Sequence, residues 1–282
     1  MPTPGAQQET ERRQRLMAGL KAAAFALVLA PALTRPMAFL PAWLPPSLPR
    51  LALVLLGTVV ATRLERRSLA SAGLSLDLDW WKDLASGATV ASFAATAILA
   101  VLMLFGGRWV AGQPFLPAFW QIGAFASIAA FEEIAFRGFL FFRTKEAIGT
   151  TAAVVLNAGV FAFAHGLHGG LQAVLMPALS LALASGIVAG FTAATGRTGA
   201  AIGLHFGWNL ALGAVFGCSI AGHTVASFFV PTLKGSSWIT GGAFGPAASI
   251  PGLLFLSLTV PVLRWALQRN QNQVSPSEDT KE

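Results

Sequence analysis

Acidic residues are nearly absent from the middle of this chain. Between Asp83 and Glu278 there are only three, Glu132, Glu133 and Glu146. Charge of either sign is scarce, at 11% of 282 residues, against about 25% in an ordinary soluble domain. With 55% hydrophobic residues and a mean hydropathy of +0.64, the composition excludes a typical soluble fold and indicates a polytopic membrane protein. The single cysteine, Cys218, excludes an intrachain disulfide and a thiolate metal cluster, and reads as a small packing residue. Tyrosine is absent, so tryptophan must supply any aromatic belt. The net charge of +7 does not indicate a nucleic-acid partner. Its positive residues lie in short clusters between apolar runs, where membrane topology accounts for them.

What is present is a series of apolar runs. Residues 1–16 are polar and basic and read as a frayed cytoplasmic tail. Residues 17–83 hold two spans, Met17–Leu33 and Leu51–Thr62, separated by a proline-rich loop and followed by an interfacial segment, Arg63–Asp83. The first span reads as a retained helix rather than a signal peptide, because Arg35 and several prolines follow it instead of a small-residue cleavage site. Residues 84–267 form the helical core. Its spans are Leu84–Phe105, Ala118–Phe142, Thr150–His165, Leu171–Ala194, Ala200–Phe216 and Ile250–Leu267, with loops at 106–117 and 217–248. Residues 268–282 are a polar tail. Gly186 and Gly190 form a small-xxx-small pattern suited to close helix packing.

The expected fold is therefore an all-α bundle of about eight transmembrane helices around a wet intramembrane cavity, with both termini inside. Fourteen Lys and Arg residues then fall on the cytoplasmic side and four, Arg35, Arg50, Arg108 and Lys234, outside. That asymmetry supports the orientation. The nineteenth, Arg137, lies within a span beside Glu132 and Glu133.

Ionisable groups inside a membrane normally face a protein interior or a wet cavity, and they are functional candidates by default. Glu133 and Arg137 are i, i+4 and share a helix face. Glu132 is rotated about 100° from Glu133 and points elsewhere. This separates a structural ion pair, Glu133–Arg137, from a free carboxylate, Glu132. The other strong polar groups in the spans are His165, His205 and Asn209, the last two again i, i+4. Asn157 reads as a helix–helix hydrogen-bonding residue, and His168 and His223 as solvated loop residues.

No Ser-His-Asp arrangement or activated cysteine is evident. A carboxylate and an imidazole can hold and deprotonate a water. A second imidazole and an amide can donate to a developing oxyanion. That is a toolkit for peptide or amide hydrolysis. Alternatively, Glu132, His165 and His205 could bind Zn²⁺ with one open position. His-Glu-x-x-His is absent, so the sequence does not require a metal.

Three motifs carry a family resemblance: Glu132-Glu133 with Arg137, Phe161-Ala162-Phe163-Ala164-His165, and His205-Phe206-Gly207-Trp208-Asn209. In this order they resemble the CPBP intramembrane proteases, which include the CAAX prenyl endopeptidases and bacterial bacteriocin-immunity and sorting-associated members. Ala72-Gly73-Leu74 with Trp81-Lys82-Asp83, and Thr240 to Pro246, resemble further segments of that family.

The resemblance implies an endopeptidase in a membrane, here a bacterial cytoplasmic membrane. Its substrate would be a membrane-associated or lipidated peptide or protein, and its partners the bilayer and that substrate. Glu132 would be the water-activating base with His165 assisting. His205 and Asn209 would stabilise the oxyanion, and Glu133 and Arg137 would organise the site. The family has been described both as metal-dependent and as glutamate-dependent without metal. The latter is preferred here, with no cofactor required, since one base and two donors complete the mechanism. Two other readings share the same residues: a non-catalytic immunity or scaffold protein of the same fold, and a proton-coupled transporter.

Overall fold

The structure is a computed structural model that describes residues 4–34, 41, 44–112, 114–165, 171–258 and 261. The turn containing His168, residues 35–40, 42 and 43 of the proline-rich loop, the far end of the last expected span and the 268–282 tail lie outside the described residues.

The molecule is mostly helical. Helix α1 runs Pro4–Thr34, α2 Ser47–Leu64, α3 Leu78–Leu104, α4 Phe115–Arg137 and α5 Phe139–Ile148. Helix α6 runs Thr150–Ala164, α7 Leu171–Thr195 and α8 Gly199–Asn209, with a short α9 at Ser237–Thr240. A further helical stretch covers 250–258. Among the described residues three helices are long and apolar enough to cross a membrane: Ser47–Leu64, Leu78–Leu104 and Val174–Thr195. Thr150–Ala164 and Gly199–Val215 are shorter apolar helices. At 15 residues, α6 is about 22 Å long, less than a bilayer core of about 30 Å.

Several sequence expectations are corrected. The N-terminal residues are not a frayed tail: α1 is continuous from Pro4, and the segment from Gly5 to Leu16 is helical though exposed. The interfacial segment ends early, because Asp77 caps α3 by accepting from the Trp80 amide at 2.8 Å. That bond and one from Ser75 hold the Asp77 carboxyl below its usual range. The expected fourth span is two helices. Gly138, at ψ −133°, leaves helical geometry and separates α4 from α5. The fold is also not purely helical. Strand β1, Arg108–Ala111, pairs antiparallel with β2, Phe229–Thr232, with Arg108 opposite Thr232. Both strands come from segments expected to be loops. They are short and flanked by glycine-rich sequence, so their pairing is set by tertiary contact rather than by local pattern.

Close packing is also found at a stripe that the sequence pattern did not single out. Helix α3 runs along α8, α6 against α7, and α4 against both α2 and α8. The tightest approach is made by Gly199, Gly203 and Gly207, one stripe at i, i+4, i+8. A Cβ on Gly203 would overlap the Leu84 carbonyl, and one on Gly207 the Ala88 carbonyl. Gly87 answers from α3, facing the Ala200 carbonyl. By contrast, a Cβ on Gly186 would meet only Ala158 at 3.9 Å. The α3–α8 contact is locked by Ser92 donating to the Gly207 carbonyl at 3.0 Å.

The turn before α8 is anchored by one carbonyl. Gly73, at φ +77°, accepts from the Thr198 amide at 2.9 Å, the Thr198 hydroxyl at 2.9 Å and the Trp80 indole at 3.1 Å. Arg197 pairs with Asp83 at 2.6 Å. Together these fix where α8 starts, and so the azimuth of His205 and Asn209.

Candidate active site

Helix α8 turns its glycine stripe to α3, which leaves His205 facing α4. His205 Nδ1 lies 2.8 Å from Glu133 Oε1. Arg137 Nη1 lies 3.3 Å from both oxygens of the same carboxylate. Glu133 and Arg137 are 2% and 1% exposed, so neither charge can rely on water. An unpaired charge at such depth is strongly unfavourable, and Glu133 shares its charge between two partners.

Arg137 is further enclosed. Its Nη2 donates to the Ser185 hydroxyl on α7 at 2.5 Å. Its guanidinium carbon lies 4.3 Å from the Phe161 ring centroid on α6, within cation–π range. The break at Gly138 would leave the Phe136 carbonyl without its usual helical donor. Asn157 of α6 donates to it at 2.7 Å, which is the helix–helix role expected of that residue.

Asn157, Phe161 and His165 therefore form one i, i+4, i+8 face of α6, and each touches α4. His165 Nε2 lies 3.7 Å from Glu132 Oε2. Its ring centroid is 4.3 Å from that of Phe161. His165 Nδ1 is 2.8 Å from the Phe161 carbonyl. A carbonyl only accepts, so Nδ1 carries the proton and the Nε2 of neutral His165 is a lone pair aimed at Glu132. The same logic applies to His205: with Nδ1–H given to Glu133, its Nε2 faces Glu132 Oε2 at 3.9 Å and donates only as imidazolium.

Glu132 differs from its neighbour. Its side chain is 20% exposed, and its buried Oε2 has no hydrogen-bond partner among the described residues. Both imidazoles approach that atom at separations slightly beyond direct hydrogen bonding, which is the spacing a bridging small molecule fits. Asn209 is buried and lines the same cavity as Glu132, His165 and His205. Directly after Asn209 the chain passes into a π-helical turn, Leu210–Val215. Such turns are frequent at functional sites. The cavity measures about 1120 Å³, with α3, α4, α7 and α8 contributing its walls.

All six residues expected at the site lie around one cavity. The i, i+4 pairing of Glu133 with Arg137 and the proximity of Glu132 to His165 both follow the helix-face reasoning. Three contacts were not foreseen: the tie of His205 to Glu133, Ser185 on Arg137, and Phe161 beneath it. The Asn157/Phe161/His165 spacing carried a usable signal for the last. Nothing local marked Ser185, which comes from a helix with no charged residue.

A zinc ion held by Glu132, His165 and His205 would need ligand atoms about 3.3 Å apart in a tetrahedron. The carboxylate–imidazole separations are wider than that, and among the described residues no group of three or more His, Cys, Asp or Glu is arranged to hold a metal ion.

Residues 113–211 match the family model described as type II CAAX prenyl endopeptidase Rce1-like. The match contains Glu132, Glu133, Arg137, His165, His205 and Asn209, and it bears out the resemblance to the CPBP intramembrane proteases. No curated protein and no solved structure matches the chain. The apolar helices and the family match point to an integral membrane protein of protease type.

Proposed function

We propose that this protein is an intramembrane endopeptidase that hydrolyses a peptide bond of a membrane-associated or lipidated substrate, using a water activated by Glu132 and His165. The observation that carries this reading is the state of Glu132 Oε2. It is buried and without a hydrogen-bond partner among the described residues, yet lies 3.7 Å from His165 Nε2 and 3.9 Å from His205 Nε2. It does so within the stretch matched to the prenyl endopeptidases.

The chemistry follows from the donor and acceptor inventory. A water seated between Glu132 Oε2 and His165 Nε2 donates one proton to each acceptor, which aims a lone pair outward. As the oxygen attacks the scissile carbonyl carbon, its proton passes to the Glu132 carboxylate. The carbonyl oxygen becomes an oxyanion, which accepts from His205 Nε2–H and the Asn209 amide. Glu133 balances the His205 imidazolium through Nδ1, its position fixed by Arg137. The C–N bond then breaks, and Glu132 returns its proton to the leaving amine nitrogen. No metal step is needed. The same site on eight spans with both termini inside, in a bacterial cytoplasmic membrane, is part of this reading.

Terminal proteomics of membranes from cells making the wild type or Glu132→Gln tests it. New protein termini in the wild-type membranes that vanish with Glu132→Gln support an endopeptidase. Identical termini in both would remove the proposal. Function that survives the double change His165→Ala, His205→Ala would favour the non-catalytic scaffold reading instead.

A further inference from the structure

Helix α7 gives the cavity a wall that is mostly apolar, with Leu181, Ala184, Val188 and Phe191 on it. Two buried serines interrupt that wall, Ser180 and Ser185. Ser185 is already engaged. It accepts from Arg137 at 2.5 Å and donates to the Asn157 carbonyl at 3.5 Å. Ser180 is 3% exposed, and its hydroxyl makes no hydrogen bond to another described residue. It shares a face of α7 with Ala184, four residues on, and both line the cavity. A buried hydroxyl without a partner is uncommon in a folded protein, and it calls for a physical reason.

The height of Ser180 in the bundle follows from helix register. The short link from Ala164 to Leu171 makes α6 and α7 antiparallel neighbours. Asn157 lies level with Ser185, and a Cβ on Gly186 would meet Ala158. From Asn157, His165 is eight residues along α6, about 12 Å. From Ser185, Ser180 is five residues back along α7, about 7.5 Å in the same direction. Side chains lean toward the N-terminus of their helix. His165 therefore leans back along α6 and Ser180 leans toward the α6–α7 link, which brings the two toward one level. That is also the level of Glu132, which His165 approaches at 3.7 Å. We infer that Ser180 is a substrate-binding residue, whose hydroxyl hydrogen-bonds the peptide main chain beside the bond that is cut. The inference rests on the proposed endopeptidase reading and adds a residue to it.

The need comes from the substrate's own backbone. A peptide drawn into this cavity leaves water, and each N–H and C=O it buries without a partner is unfavourable. In the proposed mechanism Glu132 and His165 hold the water, while His205 and Asn209 take the oxyanion. None of the four is left for the neighbouring peptide unit. Leu181 and Ala184 offer that unit no polar atom, and Ser185 is held by Arg137. A serine hydroxyl both donates and accepts, so Ser180 can serve an N–H or a C=O whatever the side chains of the substrate.

Two experiments separate this inference from the reading beneath it. First, purified protein in bicelles is given a library of apolar peptides about 20 residues long, and cut sites are read by mass spectrometry. One cut peptide is remade with single amide-to-ester changes at the units flanking the cut bond. Each ester deletes one N–H and weakens the carbonyl next to it. Wild type should lose roughly 2- to 12-fold in kcat/KM at one ester position, the range for a single neutral hydrogen bond. Ser180→Ala should lose a similar factor on the all-amide peptide and then be insensitive to that same ester. Losses that multiply independently at every ester position overturn the inference, because a serine that only packs would behave so. Second, Glu132→Gln protein is immobilised, and its retention of the same library is compared with that of Glu132→Gln/Ser180→Ala. Weaker retention with an unaltered thermal midpoint is expected. Equal retention, or weaker retention only in protein whose midpoint has dropped, overturns the inference. If wild type cuts no peptide, the endopeptidase reading fails, and the retention comparison alone decides whether Ser180 binds peptide.

Discussion

His205 Nδ1 lies 2.8 Å from Glu133 Oε1, so one hydrogen bond joins the helix of the acidic motif to the helix of the His205/Asn209 motif. The same carboxylate holds Arg137 at 3.3 Å. Glu133 thus ties the site's helices together, while the neighbouring Glu132 makes only the longer approaches to His165 at 3.7 Å and His205 at 3.9 Å.

Replacing Glu133 is therefore expected to damage folding and activity together. Glu133→Gln leaves Arg137 buried without its counter-charge, a loss of about 3–5 kcal/mol for breaking a buried pair. Thermal unfolding in detergent should show a lowered midpoint, and activity should fall alongside it. An unchanged midpoint would mean that Arg137 finds another anion.

Ser185→Ala removes the 2.5 Å acceptor of Arg137. Hydrogen bonds to charged groups contribute about 1.5–3 kcal/mol, so the variant should be measurably less stable. Ser185→Thr keeps the hydroxyl and should recover most of that loss in the same unfolding assay.

Asn209→Ala takes away one proposed oxyanion donor. Loss of such a donor costs about 10²- to 10³-fold in turnover. The prediction is a fall in kcat with little change in KM, measured on any peptide that wild type cuts. A fall confined to KM would make Asn209 a ground-state binding residue.

Gly203→Ala and Gly207→Ala place a methyl against the Leu84 and Ala88 carbonyls of α3. Backbone cannot move aside as a flexible side chain does, so each change should cost about 1–3 kcal/mol and displace His205. Gly186→Ala, which meets only Ala158 at 3.9 Å, should be close to neutral in the same thermal assay.

Much of this site was legible before the fold. The i, i+4 spacings of Glu133 with Arg137 and of His205 with Asn209 survive any arrangement of helices, because they depend on helix geometry alone. The hydrogen bond from His205 to Glu133 did not, since it depends on which azimuth α8 presents to α4. That azimuth is set by the Gly199/Gly203/Gly207 stripe and by the Gly73 carbonyl. A glycine stripe is legible as a possible close contact, but its partner is not, and Gly186 with Gly190 offered an equally good pattern. The break at Gly138 was hidden because the apolar run continues through Phe142. The β1–β2 pair was hidden because four-residue strands from segments over 100 residues apart carry no local signal.

Cys218 is 3% exposed, and burial pushes its thiol up to about 12. A maleimide reacts with thiolate. The folded protein at pH 8 should therefore label far more slowly than the same protein in denaturing detergent. Rapid labelling in the native state would mean that the turn after the π-helical segment is open.

The division of labour between the two glutamates is tested most directly by Glu132→Gln beside Glu133→Gln, each read for substrate processing and for thermal midpoint. Glu132→Gln should lose processing by about 10²- to 10⁴-fold, the range for a general base, with its midpoint within a degree or two of wild type. Glu133→Gln should lose both. A Glu132→Gln protein that processes its substrate at the wild-type rate would contradict the proposed mechanism at its centre.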